Sequence, residues 1–186
     1  IEMEMKEIEK TEVLKGGEFL VKETNANDVF IREEFGEEQM MMLNATEEFS
    51  KIEIKPNIMR FEEKDYALVE SLMRKAGQLG LLAVSIPEKY HGLGMGFNTG
   101  MLICEEISSL TGSMATAFGA HTGIGTLPIL LYGTEDQKNY YLPKISSGEW
   151  ISCYNLTEPD AGSDANSGKT KAVLSSDGEH YEITGQ

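Results

Sequence analysis

The chain has 186 residues, 40% of them hydrophobic and 25% charged, and its 31 acidic against 16 basic side chains give a formal net charge of −15. That length allows one domain, or one domain and part of a second, and the apolar content is enough to bury a core. The acid excess and the lack of any basic run exclude nucleic acid as a partner, because neutralising phosphates takes clustered Lys and Arg.

The two cysteines, Cys104 and Cys153, lie far apart. No Cys–His spacing suggests zinc and no framework suggests disulfides. Both read as small buried hydrophobes in a reducing compartment. The sequence opens on Ile and is Glu-rich, which matches neither a secretory signal nor an Arg-rich transit peptide. A bacterial cytoplasmic location is expected, or the mitochondrial matrix in a eukaryote.

Residues 1–27 read as a charged tail or extended segment, with Phe19-Leu20-Val21 able to dock on the body. Residues 36–54 read as a helix, because Met42, Ala45, Phe49 and Ile52 recur on one face. Glu37 and Glu38 favour the dipole at its start, and Lys55-Pro56 stops it. A second helix is expected over 62–80, with Tyr66, Val69, Met73 and Ala76 on one face and Gly77 and Gly80 loosening its end. Gly92, Gly94 and Gly96 follow in a loop. A dinucleotide fingerprint would need glycine three places after Gly94, where Phe97 stands, so these read as turn glycines.

A third helix is expected over 98–111, with Ile103, Ile107 and Leu110 inward. Between Glu106 and Glu135 no residue is formally charged and His121 is the only ionisable side chain. Ser, Thr, Gly and Pro interrupt that stretch, so it reads as one buried helix or a broken pair rather than a membrane span. His121 reads as a hydrogen-bonded buried or rim histidine. Thr134 with Gln137 forms a capping-box pattern that should open a helix to about Ser146. The helical domain thus spans 28–148.

From 149 the character changes. Trp150 to Thr157 alternates like a strand, Lys169–Leu174 and His180–Thr184 read as two more, and Asp177-Gly178 is a hairpin turn. Residues 149–186 therefore read as the first strands of a β domain. The expected fold is α+β, an all-helical amino-terminal domain followed by the start of an antiparallel β domain.

The loop after the first of these strands carries the chemistry. Thr157 offers a hydroxyl at a strand end, Pro159 stiffens the turn, Gly162 admits a ligand close to the backbone, and Ser163 adds a hydroxyl and an amide. Such a corner suits a flat acceptor-rich ring and a phosphate. A tight hairpin turn uses the same residue types, and the residues alone leave both open.

The run Tyr154-Asn155-Leu156-Thr157-Glu158-Pro159-Asp160-Ala161-Gly162-Ser163-Asp164 resembles the signature of the acyl-CoA dehydrogenases. Three further runs resemble that family in the same order: Ile86-Pro87-Glu88-Lys89-Tyr90-His91-Gly92, Gly133-Thr134-Glu135-Asp136-Gln137 with Tyr141-Leu142-Pro143-Lys144, and the closing Tyr181-Glu182-Ile183-Thr184-Gly185. Gly119-Ala120-His121 and Leu130-Leu131-Tyr132-Gly133 are most similar to its very-long-chain members. The resemblance covers roughly residues 28–186.

The resemblance implies an FAD enzyme that desaturates a fatty acyl-CoA in β-oxidation and passes electrons to an electron-transfer flavoprotein. The whole enzyme would be a homodimer or homotetramer. Tyr154, Asn155, Leu156 and Thr157 would line the flavin, Gly162 and Ser163 would lie near its phosphates, and Ser163 would also meet the substrate. The helices from Met101 to Leu131 would wall the acyl tunnel. The family's base is a Glu from a later domain that no position here matches, so these 186 residues alone are expected to be inactive, with Glu158 holding its loop. An acyl-CoA oxidase or a non-catalytic scaffold on the same fold would share these motifs.

Overall fold

The computed structural model describes Leu14 and residues 16–186, so most of the expected tail lies outside the described residues. In the part that is described, Phe19 borders a hollow with Phe30 and Asn98, while Leu20 and Val21 are exposed. The body is helical from α1 (Glu37–Phe49) through α2 (Ile58–Glu62), α3 (Tyr66–Gln78), α4 (Phe97–Ser108), α5 (Gly112–Ala120) and α6 (Leu127–Tyr132) to α7 (Glu135–Ser146). Two short strands follow, β1 (Lys171–Leu174) and β2 (Tyr181–Thr184).

Local sequence explains where these helices begin and turn. The Gly36 amide donates to Gln39 Oε1, and Gln39 Nε2 donates onward to the buried Thr99 hydroxyl, which ties the first turn of α1 to α4. After α1 the helix widens into a π-turn over Ser50–Ile54. The wider turn rotates the apolar face: Ile54 is fully buried, whereas Ile52, expected inward, is 58% exposed. Pro56 does not end helical structure there. It opens the next helical segment, a position where its missing N–H costs nothing.

The second expected helix, over 62–80, is α3, which starts four residues later because a separate short helix, α2, ends at Glu62. Lys64 takes a left-handed φ of 61° between α2 and α3, and the Asp65 carboxylate then caps α3 by accepting from the Leu68 amide. Tyr66 therefore sits in an exposed first turn, and Leu72 joins Met73 and Ala76 in the core. The end of α3 is not loose. The Gly80 amide donates to the Gly77 carbonyl and the Leu81 amide to Ala76, a Schellman closure with Gly80 left-handed at φ 77°.

The uncharged stretch folds as expected for a broken pair. Residues Gly112–Tyr132 form a 21-residue helical run with mean hydropathy 1.2, long and apolar enough to cross a membrane by length and composition alone. A second π-turn, His121–Gly125, interrupts it. Met114, Phe118 and His121 point into the core, while Ile124, Leu131 and Tyr132 are exposed. The capping box of α7 forms as expected: the Thr134 amide donates to Gln137 Oε1 and the Gln137 amide to the Thr134 hydroxyl.

The main core gathers Phe49, Ile54, Met73, Ile103, Ile107 and Met114 with their neighbours. A smaller cluster joins Ile86, Tyr90 and Leu142, where the Tyr90 hydroxyl donates to the Glu135 carboxylate at the start of α7. Between α3 and the end of α7 the contact is backbone on backbone. A Cβ on Gly77 would lie 2.2 Å from the Ser147 carbonyl oxygen.

The expected first strand does not form. Residues 151–157 make no ladder with any described residue, since a strand exists only where a partner accepts its hydrogen bonds. The two later strands pair antiparallel, Lys171 opposite Thr184 and Leu174 opposite Tyr181, and both are exposed on both faces. Gly178 turns the hairpin at φ 75°. β1 begins at Lys171 rather than Lys169, because the Lys169 and Thr170 amides are engaged by the Glu158 carboxylate. The architecture is thus the helical domain with the beginning of an antiparallel sheet.

The Gly77 contact sets an expectation. Gly77→Ala gains helix propensity of roughly 1 kcal/mol but must push the Ser147 backbone away, so it should destabilise by about 1–3 kcal/mol net of that gain. Gly119→Ala, whose Cβ would meet nothing within 4 Å, should leave stability unchanged or raise it. Urea unfolding of the two variants checks the pair.

Candidate functional site

Three features bear on a candidate site. The first is an apolar chamber of about 260 Å³ between the Leu81–Ile86 turn and the helices α4, α5 and α6. Met101 and Cys104 of α4, Phe118 and Gly119 of α5, and Thr122 and Gly123 of the π-turn form much of its wall. Glycines at Gly100, Gly119 and Gly123 leave the space that side chains would take. Cys104 is half-buried there, and loss of solvent pushes its thiol pKa up. The family resemblance pointed to Met101–Leu131 for this wall but missed Leu81 to Ile86, a mostly apolar run with no helical or strand periodicity to read.

The second feature is the corner after residue 152. Tyr154, Asn155, Leu156 and Thr157 are exposed, and their amides make no backbone hydrogen bond among the described residues. The corner closes tightly at its far end, where Glu158 and Ala161 exchange amide-to-carbonyl bonds of 3.1 Å each. Ala161 is buried while Gly162 and Ser163 are exposed. A Cβ on Gly162 would meet nothing within 4 Å, so no part of the chain fills the space above it. Neither the Thr157 nor the Ser163 hydroxyl has a partner among the described residues.

Glu158 holds this corner to the hairpin. Its carboxylate accepts from the Lys169 amide at 2.6 Å and the Thr170 amide at 3.0 Å. The Lys169 amide first, and then Thr170, hold its pKa below the usual carboxylate value. A general base at neutral pH needs its pKa raised, so Glu158 is held in the wrong direction for that task. The Lys169–Asp160 ion pair beside it is largely exposed and contributes little.

The third feature joins the first two. His121, at the start of the π-turn, is fully buried. The Ser152 amide donates to its Nδ1 at 3.1 Å, which fixes the ring hydrogen on Nε2, and Nε2 donates to the Ile145 carbonyl at 3.1 Å. The Ser152 hydroxyl donates to the His121 carbonyl at 3.0 Å, and its oxygen lies 3.4 Å from the Thr126 hydroxyl. Thr126 also lines the chamber. A Cβ on Gly125 would sit 2.5 Å from the Ser152 oxygen, so the segment lies flat against the π-turn only because glycine stands there. Just before it, Trp150 packs on α7, with Lys144 Nζ 4.2 Å from its ring centre. Sequence reading found a buried histidine but not its partner thirty-one residues away. Cys153, expected buried, is exposed, because the chain leaves the helical body immediately after Ser152.

Among the described residues no group of three His, Cys, Asp or Glu side chains could hold a metal. The corner fits a flat cofactor better: it offers free amides, two unpartnered hydroxyls and open space over Gly162.

A helical body, a small-residue apolar chamber and a Leu-Thr-Glu-Pro corner together define the front of an acyl-CoA dehydrogenase fold. Comparison with known proteins agrees. Residues 36–149 match the acyl-CoA dehydrogenase N-terminal domain, and the chain belongs to that family. A probable acyl-CoA dehydrogenase of Bacillus subtilis is 42% identical over 175 residues, covering 94% of this chain and 29% of that protein. The mitochondrial isovaleryl-CoA dehydrogenase of Bos taurus is 34% identical over 150 residues, covering 80% of this chain and 35% of that protein. A crystal structure of an acyl-CoA dehydrogenase from Bacillus anthracis complexed with FAD superimposes with a TM-score of 0.85 at 42% identity, covering 91% of this chain and 30% of that one. The chain thus spans about a third of the length of the relatives it matches.

Two outcomes are expected. Glu158→Ala should speed hydrogen exchange at the Lys169 and Thr170 amides several-fold while leaving α3 and α4 unchanged. Equal exchange in both proteins would remove Glu158 from its structural role. For His121, burial holds the pKa below its ordinary 6.5. Above that value both folded and unfolded chains are neutral. Below it only the unfolded chain takes up the proton, so stability falls as pH drops toward the folded pKa. The melting temperature should fall between about pH 7.5 and 5.5 in the wild type, and fall less in His121→Asn.

Proposed function

We propose that this chain is the front portion of an FAD-dependent acyl-CoA dehydrogenase that desaturates fatty acyl-CoA thioesters between the α and β carbons. The observation that carries this reading is the pairing of the apolar chamber with the open corner at Thr157–Ser163. The chamber would take the acyl tail, exclude water and hold the reacting carbons in one orientation. The free amides of Tyr154 to Thr157 and the Thr157 hydroxyl would meet the flavin ring, and Gly162 and Ser163 would face its phosphates, with Ser163 also reaching the substrate. FAD, when bound, supplies the hydride acceptor for this chemistry. Glu158 is committed to two amides and is not free to act as the base. In the family the base is a Glu of a later domain, so it would come from outside these residues, and these 186 residues alone would hold neither flavin nor activity.

On this reading an electron-transfer flavoprotein would take the electrons, and a homodimer or homotetramer would be the working unit. The domain division is 28–148 for the helical part and 149–186 for the β part. Chain-length preference follows from the chamber rather than from the Gly119-Ala120-His121 motif, because the names of the relatives described above give no support to a very-long-chain enzyme.

The test has two arms. The purified 186-residue polypeptide should show no flavin absorbance, and the full-length protein should be yellow and bleach anaerobically with an acyl-CoA. In the full-length protein, Gly119→Leu projects a side chain into the chamber. It should lower kcat/KM for palmitoyl-CoA about tenfold more than for butyryl-CoA, the scale of 1–3 kcal/mol that a misfitted apolar pocket costs. A parallel loss on both substrates would show that the chamber does not hold the acyl tail.

A further inference from the structure

Resting on the flavin reading above, we propose that His121 is a positioning residue: by holding the Ser152 amide on Nδ1 it fixes the start of the flavin-facing run Tyr154–Thr157. The geometry divides the work of the ring between its two nitrogens. Nε2 donates to the Ile145 carbonyl, but that carbonyl also accepts the Gly148 amide at 3.1 Å. The α7 end thus keeps a partner without His121. Nδ1 is different. It accepts the Ser152 amide, and that amide makes no backbone–backbone bond among the described residues.

Ser152 is also the last point at which the chain is tied to the helical body. From there to Glu158 no amide is bonded to another backbone group, and Glu158 closes onto Ala161. Ser152 and Glu158 are therefore the two ends from which the run is hung. Tyr154 stands two residues from Ser152, at most about 7 Å of extended chain, so a shift at Ser152 is passed to the flavin-facing amides almost undiminished. A misplacement of about 1 Å costs on the order of a hundredfold in rate where reacting groups must be aligned. A second, independent observation points the same way. The missing Cβ at Gly125 lets Ser152 approach the π-turn, where an added methyl would lie 2.5 Å from its hydroxyl oxygen and 2.8 Å from its Cβ. The groups that face the imidazole are the Ser152 amide and hydroxyl and the Ile145 carbonyl; none is charged.

Two substitutions in the full-length protein separate the nitrogens. In His121→Asn the amide oxygen reaches the place of Nδ1 and still accepts from Ser152. In His121→Gln the longer amide reaches the place of Nε2 and still donates to Ile145, but the Ser152 amide loses its acceptor. Each removes one hydrogen bond, so melting temperatures should fall by similar amounts. Flavin affinity should not follow stability: the Gln variant should bind FAD about tenfold more weakly than the Asn variant, with kcat lowered and KM for acyl-CoA little changed. Gly125→Ala, which displaces Ser152 without touching the histidine, should weaken FAD binding as the Gln variant does. Exchange at the Ser152 and Glu158 amides should rise in the Gln variant and not in the Asn variant, with or without flavin. Equal FAD affinity and equal exchange in the two histidine variants, or the greater loss in Asn, overturns the positioning role. A wild-type full-length protein that binds no FAD overturns the flavin reading instead, and the exchange comparison still decides whether His121 positions the run.

Discussion

The fold turns on the close approach between the segment 147–152 and the helix ends beneath it. Glycine makes that approach possible at both ends: Gly77 admits the Ser147 carbonyl, and Gly125 admits Ser152. Between them Trp150 lies against Tyr140 and Lys144 of α7. This short path hands the chain from a packed helical body to an exposed corner. Where it is held, the corner has a defined origin; past Ser152 the chain has no further anchor until Glu158.

The same economy of side chains makes the chamber. α4, α5 and the π-turn after α5 bring Gly100, Gly119, Thr122 and Gly123 to the chamber, which leaves room but sacrifices helix stability, since each interior glycine costs roughly 0.5–1 kcal/mol relative to alanine. Contacts elsewhere offset this. Ile103, Ile107 and Met114 are fully buried on the other side of the same helices, and α1 packs along α4 through the Gln39–Thr99 hydrogen bond. At the positions that meet the core or the apolar cavity, the lack of charge between Glu106 and Glu135 follows from both requirements; nothing in the structure explains it at exposed positions such as Ile124 and Tyr132. Burying a charge in the core or the cavity would cost several kcal/mol.

How much the sequence disclosed depended on the range of the interaction. The start of α7 was legible because its cap is closed within four residues, Thr134 to Gln137. The role of Glu158 was legible as a loop holder, though its partners, eleven and twelve residues on, were not. The inward face of α1 was read one residue off, since Met42 and Ala45 are only half-buried while Leu43, Thr46 and Phe49 are buried, and past Phe49 no local pattern announces the π-turn that decides between Ile52 and Ile54. The strand expected at 150–157 failed for a different reason. Its alternation is real, but alternation states only what a sheet would accept, and pairing needs a neighbour that these residues do not meet. The corner at Thr157–Ser163 was legible as a motif and not as a geometry. Its open space over Gly162 and its unpaired amides emerge only when the rest of the chain is seen to stay away.

Residues 150–157 thus carry two demands that a single strand pattern conceals. Up to Ser152 the chain must satisfy its polar groups against the helical body, and it does so through His121, Lys144 and the π-turn. After Ser152 it must leave them unsatisfied within these residues. A ligand that accepts from backbone amides, or a neighbouring strand, can use only groups that the fold has not already spent. Buried amides are almost always paired, so the free amides can exist only where the chain is exposed, as Tyr154 to Thr157 are. Exposure in turn removes packing as a means of fixing their position. The burden of fixing it falls on the last link to the helical body before the run, the half-buried Ser152 amide on a buried neutral imidazole, and on the first closed turn after it. A histidine suits that link because a desolvated ring is held neutral, and a neutral ring has one nitrogen free to accept.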